Sequence, residues 1–251
     1  MHILKTEHLT RSFGKLTAVD DLTISVDEGE IFGLLGPNGA GKSTAIKMLT
    51  TLLPLTAGNA TVGGFDVVHN ASSVRRLIGY VPQLLSADST LTGRENLMIF
   101  SKLYDISKSE RALRIDGSLE FMGLTDASDK LVKNYSGGMI RRLEIAQAML
   151  HRPKVLFLDE PTIGLDPVGR KAVWDHILKL QADYGTTIFL TTHYMEEADK
   201  LCSRVAIMHL GKMAVIGVPG DLKASLNGDG VTLDDVFVYY TGGRGRHRRE
   251  L

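Results

Sequence analysis

With 251 residues, 43% hydrophobic and 23% charged, the chain has the composition of a globular protein, with room for one large α/β domain or one domain and a subdomain. Its 29 basic residues balance its 29 acidic ones, which excludes a global field favouring nucleic acid or an anionic membrane. No window offers eighteen uncharged apolar residues, the N-terminal MHILKTEHLTRSFG lacks the pattern of a signal peptide, and the single cysteine, Cys202, cannot form an internal disulfide; a cytosolic protein with a buried thiol is expected.

Taken in order, residues 2–28 read as β-rich: HILKTEHLT, a turn at Ser12-Phe13-Gly14-Lys15, then alternation from Leu22 to Val26. Asp27-Glu28-Gly29-Glu30 is a turn before the apolar strand Ile31-Phe32-Gly33-Leu34-Leu35. A long helix containing AIKMLTTLL follows, then a strand pair in LLPLTAGNATVGGFDVV with turns at Gly58-Asn59 and Gly63-Gly64. Ile78 to Gln83 is a short apolar strand ending in Pro82 and Gln83. From Thr90 to about Leu150 the pattern turns helical. Thr92 and Glu95 form a capping box ahead of NLMIFSKLY. A second helix covers Glu110 to Met122 and stops at Gly123. A third starts near Ser136, sets Met139, Leu143, Ala146 and Leu150 on one face, and ends before Pro153. Buried strands return in VLFLDE (155–160) and TIFLTTH (187–193), with the helix VGRKAVWDHILKLQ between them. VAIMHLGKMAVIG (205–217) reads as a hairpin around Leu210-Gly211-Lys212. Strands and helices alternating on both sides of an all-helical insertion predict a mainly parallel α/β core with a helical subdomain.

The chemistry begins at GPNGAGKST, which satisfies G-x-x-x-x-G-K-[ST]: Gly36, Pro37, Asn38, Gly39, Ala40, Gly41, Lys42, Ser43 and Thr44. A strand delivers the chain to a loop whose glycines let backbone N–H groups turn around phosphates, and a helix then starts with its positive dipole end toward the same anion. Lys42 should reach the β- and γ-phosphates, and the Ser43 hydroxyl should hold Mg²⁺. The second element is VLFLD followed by Glu160. Four hydrophobes place Asp159 at the carboxyl end of a buried strand, where it can complete the Mg²⁺ shell. Glu160 is suited to take a proton from an attacking water. A phosphate loop alone leaves kinases, GTPases and many ATPases open; no guanine-reading N-K-x-D is present, which counts against a GTPase.

Between these two elements lies NYSGGMIRRLEIAQAML, in which Ser136-Gly137-Gly138 introduces a helix. This resembles the LSGGQ signature of ATP-binding cassette ATPases, and the family's other motifs fall in order around it over residues 2 to about 217. Gln83 matches the Q-loop, Pro161 to Pro167 the D-loop and His193 the switch histidine, while Phe13 lies where the family places an aromatic ring against adenine. The resemblance implies a P-loop NTPase fold with a RecA-like parallel sheet, an antiparallel β-subdomain and an α-helical subdomain over about residues 84–150. It also implies two cassettes sandwiching two ATPs head to tail, most simply as a homodimer. Ser136 and Gly138, within the motif Tyr135 to Met139, would clasp the γ-phosphate held by the opposite subunit. Gln83 would bond Mg²⁺ or the attacking water, His193 would hold the γ-phosphate and orient Glu160, and Asp166 would couple the two sites at the interface.

The motif reads YSGGM rather than LSGGQ, with Tyr135 for Leu and Met139 for Gln. That variant, together with TLDDVFVYYTGG (232–243), resembles the subfamily of daunorubicin-resistance ATPases that energise exporters with separate membrane subunits. The implied protein is the ATPase subunit of an exporter, peripheral on the cytoplasmic face of the membrane through separate transmembrane permease subunits and not bound to nucleic acid. Residues 1–217 would form the ATPase domain and residues 218–251 a short extension ending in a basic, disordered tail, RGRHRREL. The alternative is a soluble mechanical ATPase acting on DNA or ribosomes, against which the neutral charge and the lack of a coiled-coil insertion both count.

Overall fold

The computed structural model describes residues 1–226, 228 and 230–242; the basic tail predicted to be disordered lies outside them. In chain order the elements are β1 (His2–Phe13), β2 (Leu16–Asp27), β3 (Ile31–Leu35), α1 (Lys42–Leu49), β4 (Ala57–Val62), β5 (Phe65–Asp66), α2 (Ala71–Leu77) and β6 (Ile78–Val81). They continue with α3 (Gly93–Leu103), α4 (Lys108–Phe121), α5 (Gly137–Met149), β7 (Val155–Asp159), α6 (Pro167–Tyr184) and β8 (Thr187–Thr192). The last are α7 (Met195–Leu201), β9 (Arg204–His209), β10 (Lys212–Gly217), α8 (Pro219–Ala224) and α9 (Leu233–Gly242). The class is α/β, with parallel strands, an antiparallel sheet and a set of helices. Two compact units divide the chain: residues 1–77 with the described residues from 187 onward, and residues 78–186.

The first unit holds an antiparallel sheet in the order β2-β1-β4-β5 and the strands β10-β9-β3-β8. β3 pairs in parallel with both β8 and β9, and every residue of β3 and β8 is buried. This is why both read as continuous apolar runs rather than alternating ones. Phe32 and Phe189 stack at 5.5 Å between these two strands. β9 and β10 form the predicted hairpin, turned by Leu210 and Gly211 at φ 49° and 81°. Positive φ at both central residues gives a turn whose twist matches that of its strands. Gly33 matters for a different reason: a Cβ there would stand 2.7 Å from the Cys202 sulfur. Burial pushes the Cys202 thiol pKa well up, as its expected apolar role requires.

Three details differ from the sequence-based expectations. Ser12 and Phe13 stay in the β1–β2 ladder, with Phe13 opposite Leu16, so the turn is only Gly14-Lys15. Gly58 lies inside β4 rather than in a turn; its φ is 82°, and a Cβ would meet the His8 carbonyl oxygen at 2.2 Å. The glycine there accommodates a register shift between β1 and β4. α1 is short, ending after Leu49 where Thr50 turns its hydroxyl onto the Ile46 carbonyl and Thr51 adopts φ 63°.

In the second unit β6 and β7 pair in parallel. α3 starts at the predicted capping box, Thr92 Oγ1 accepting from the Glu95 amide and Glu95 Oε2 from the Thr92 amide. Gly123, at φ 61°, follows α4. α5 is N-capped by Ser136, and Leu143, Ala146 and Leu150 of its predicted face are buried while Met139 is half-buried. α6 is capped by Asp166 and stopped by Gly185 at φ 62°. Among the described residues no helix is long and apolar enough to cross a membrane.

Candidate nucleotide site

The first unit carries the Gly36–Thr44 loop between buried β3 and α1. Gly36, Gly39 and Gly41 have φ values of 151°, 82° and 105°, conformations that an L side chain rarely adopts. At Gly36 and Gly41 there is no room for one either: a Cβ would approach the carbonyl oxygens of Met208 and Ala18 at 2.3 and 2.2 Å. Loop hydrogen bonds hold the shape, from Gly36 N to Thr192 O, Ala40 N to Pro37 O and Gly211 N to Ala40 O. α1 opens with Gly41 as its cap, a residue with no side chain to cap the helix, and its first turn contains no acidic residue. The buried Lys42 ammonium donates to the Gly36 and Pro37 carbonyls at 2.8 and 3.1 Å. The loop thus offers backbone donors, a dipole and one cation to an anion, the requirements of a phosphate cradle.

In the same unit Phe13 is 46% exposed with the Arg11 guanidinium 4.5 Å from its centroid. One face of the ring therefore carries a cation, an arrangement that holds an exposed aromatic in place. His193 directly follows buried β8, and its ring lies 4.1 Å from that of Tyr194.

The second unit presents the remaining candidates. Asp159 closes buried β7 and is itself buried, as is Glu160. Glu160 holds φ 49°, a left-handed conformation costly for a glutamate and characteristic of functional turns. Asp159 raises the Tyr80 pKa electrostatically, after burial, and together they push it to about 12. Ser136 and Gly137 are exposed at the start of α5, with Ser136 Oγ accepting from the Met139 amide at 3.3 Å. Gly138 packs inward, and a Cβ on it would meet Gly169 Cα of α6 at 3.1 Å. Tyr135 departs from its motif neighbours: it is buried, and its hydroxyl donates to the Ala127 carbonyl at 2.6 Å, so its side chain serves the fold of this unit rather than reaching out to a ligand. Asp166 is committed locally too, its Oδ1 accepting from the Gly169 amide at 2.6 Å.

Gln83 is tied to α5, its carbonyl oxygen accepting from Arg141 at 2.8 Å. Among the described residues no group of three or more His, Cys, Asp or Glu side chains gathers as a protein metal cage would need. The Ser43 hydroxyl in the first unit and the Asp159 carboxylate in the second are each hard oxygen donors of the kind Mg²⁺ takes, an ion that keeps waters and binds phosphate oxygens as its other ligands.

Residues 19–163 match the family described as ABC transporter. Over 228 residues the chain is 45% identical to the daunorubicin resistance ATP-binding protein DrrA2 of Streptomyces coeruleorubidus, covering 91% of this chain and 70% of that protein. The chain belongs to the ABC transporter family. As an ABC ATPase it binds nucleotide and hydrolyses ATP. It is also 40% identical over 222 residues to the Nod factor export ATP-binding protein I of Paraburkholderia xenovorans, covering 88% of this chain and 73% of that one. A solved ATP-binding subunit of an ABC transporter superimposes with a TM-score of 0.82 at 28% identity, over 95% of this chain and 99% of its own.

Reading the sequence missed one group in this ABC ATPase: Arg141, Glu144 and Gln147 on α5, all buried. Their i, i+3, i+6 spacing was a usable signal, since three polar residues at that interval share one helix face. A polar stripe ordinarily marks solvent, so only the structure reveals its direction.

Proposed function

We propose that this ABC ATPase is the ATP-hydrolysing subunit of an exporter, driving separate membrane permease subunits from the cytoplasmic face. The observation that carries the reading is the phosphate loop, with three positive-φ glycines, a helix start capped by glycine and the Lys42 ammonium drawn into it. The export assignment follows the drug-resistance and Nod factor export relatives. Residues 1–217 are proposed as the ATPase domain.

In this reading Lys42 and the amides of residues 36–44 bind the β- and γ-phosphates, and Phe13 lies against adenine. Ser43, Asp159 and Gln83 would hold Mg²⁺, which would supply positive charge against that developing on the phosphoryl oxygens. Glu160 takes the proton of the attacking water, and His193 holds the γ-phosphate and orients that glutamate. Ser136, Gly137 and Gly138 of a second copy contact the same phosphate, with Met139 beside them and Asp166 near the interface. ATP then joins two copies, and hydrolysis separates them. The permease would engage the helical region near Gln83, where Leu84 and Leu85 are 81% and 53% exposed.

The test uses Glu160→Gln, which should bind ATP but turn it over very slowly. Its mass in solution is measured with and without ATP, beside a double variant carrying Ser136→Arg as well. The expected result is an ATP-dependent shift from monomer to dimer that the double variant loses. Fast hydrolysis by Glu160→Gln would overturn the role of Glu160, and failure of membranes containing the co-expressed permease to retain the protein would overturn the exporter reading.

A further inference from the structure

The buried polar face of α5 grips the backbone of one loop. Arg141 Nη1 donates to the Pro82 carbonyl at 2.7 Å and Nη2 to the Gln83 carbonyl at 2.8 Å. One turn on, Glu144 Oε1 accepts from the Ser86 amide, from Ser86 Oγ at 3.2 Å and from the Ala87 amide at 3.3 Å. Arg141 and Glu144 pair with each other at 3.0 Å. Gln147 Nε2 then donates to Asn96 Oδ1, whose side chain brackets the Asp88 backbone, accepting from its amide at 2.9 Å and donating to its carbonyl at 3.0 Å. Three successive positions on one helix thus hold successive residues of segment 82–88.

Packing alone does not account for this arrangement. A buried ion pair is weak evidence for stability, and leucines would seal the same face at lower desolvation cost. A forked guanidinium on two adjacent carbonyls fixes direction as well as distance, and a carboxylate collecting adjacent amides does the same. The grip falls on both sides of Leu84-Leu85, whose side chains point outward. Its Arg141 end holds Pro82 and Gln83 themselves, and its helix is capped by Ser136.

We propose that Arg141 and Glu144 are positioning residues that lock the Gln83 loop to the helix bearing Ser136-Gly137-Gly138, so that the two move as one body during ATP turnover. This rests on the reading of Gln83 and Ser136–Gly138 as nucleotide-contacting residues. Arg141 acts through Gln83 and touches no nucleotide.

A double-mutant cycle tests it. Arg141→Lys keeps the charge but can no longer fork across both carbonyls. It should lower kcat about tenfold with KM for ATP unchanged within about twofold, but lower kcat less than about twofold in a Gln83→Ala background, because the residue being positioned is already gone. An equal factor in both backgrounds, as simple loss of folded protein would give, overturns the proposal, and so does no effect in either. Should Arg141→Lys fail to fold, amide hydrogen exchange on the unaltered protein decides. Protection at Ser86 and Ala87 matching that of α5 supports the lock, and exchange there at the rate of open loop amides overturns it. An unaltered protein that fails to hydrolyse ATP would count against the proposed function, while the exchange pattern would still report on the lock.

Discussion

Two helices in this chain begin at glycine-rich turns, and their glycines serve different purposes. At α1 the glycines are conformational: Gly36, Gly39 and Gly41 hold positive φ, and Gly41 caps the helix with backbone alone. At α5 the cap is Ser136, whose hydroxyl occupies the Met139 amide, and the glycines behind it are spatial. Gly138 lets α6 approach through Gly169, and Gly137 lies against Leu165. The first start is capped by backbone alone. The second is complete within its own unit and displays Ser136 and Gly137 outward. Similar composition therefore encodes a cradle in one place and a presented edge in the other.

The sharpest way to break this contrast is Lys42→Ala, which removes the loop's cation and leaves α5 untouched. ATP hydrolysis should fall by about a hundredfold or more, measured as phosphate release, because the contact proposed for Lys42 with the transferring phosphoryl is lost. Gly41→Ala comes next. It places a Cβ 2.2 Å from the Ala18 carbonyl in a left-handed backbone, so thermal unfolding should show about 3 kcal/mol of destabilisation, with nucleotide binding lost as well. Gly138→Ala should cost only about 1 kcal/mol by the same assay, since the 3.1 Å contact with Gly169 is partly offset by better helix propensity. A larger loss than at Gly41 would reverse the comparison. Smallest is the cap: Ser136→Ala should cost about 0.5 kcal/mol and Ser136→Gly only a few tenths. If the two were equal, Ser136 would contribute little as a cap, and its value would lie in what it presents outward.

Where local chemistry dominates, the sequence was readable. The apolar runs of β3, β7 and β8, the Thr92–Glu95 capping box and the Leu210-Gly211 turn each fix their own geometry through nearest neighbours. The phosphate loop was readable because its glycines are demanded by dihedrals that few residues tolerate. What escaped notice depended on distant partners. Gly58 resembles a turn glycine until the His8 carbonyl opposite it is known. Tyr135 sits within a motif expected to contact nucleotide, yet its hydroxyl is claimed by Ala127. The Arg141–Glu144–Gln147 face resembles a solvated stripe because charge normally means water, and its partners are mainly backbone groups of a loop, with the Ser86 hydroxyl and the Asn96 amide beside them. Helix α2 has little apolar periodicity, with Val74 its one buried residue, so no pattern announced it.

The fit of Cys202 against Gly33 has a practical consequence. With its thiol pKa raised and its sulfur sealed where a side chain at position 33 would stand, this cysteine is shielded from alkylating reagents in the closed first unit. Its rate of modification is then a clock for the opening of that unit, readable in the unaltered chain and, run with and without ATP, a direct gauge of how firmly nucleotide holds it shut.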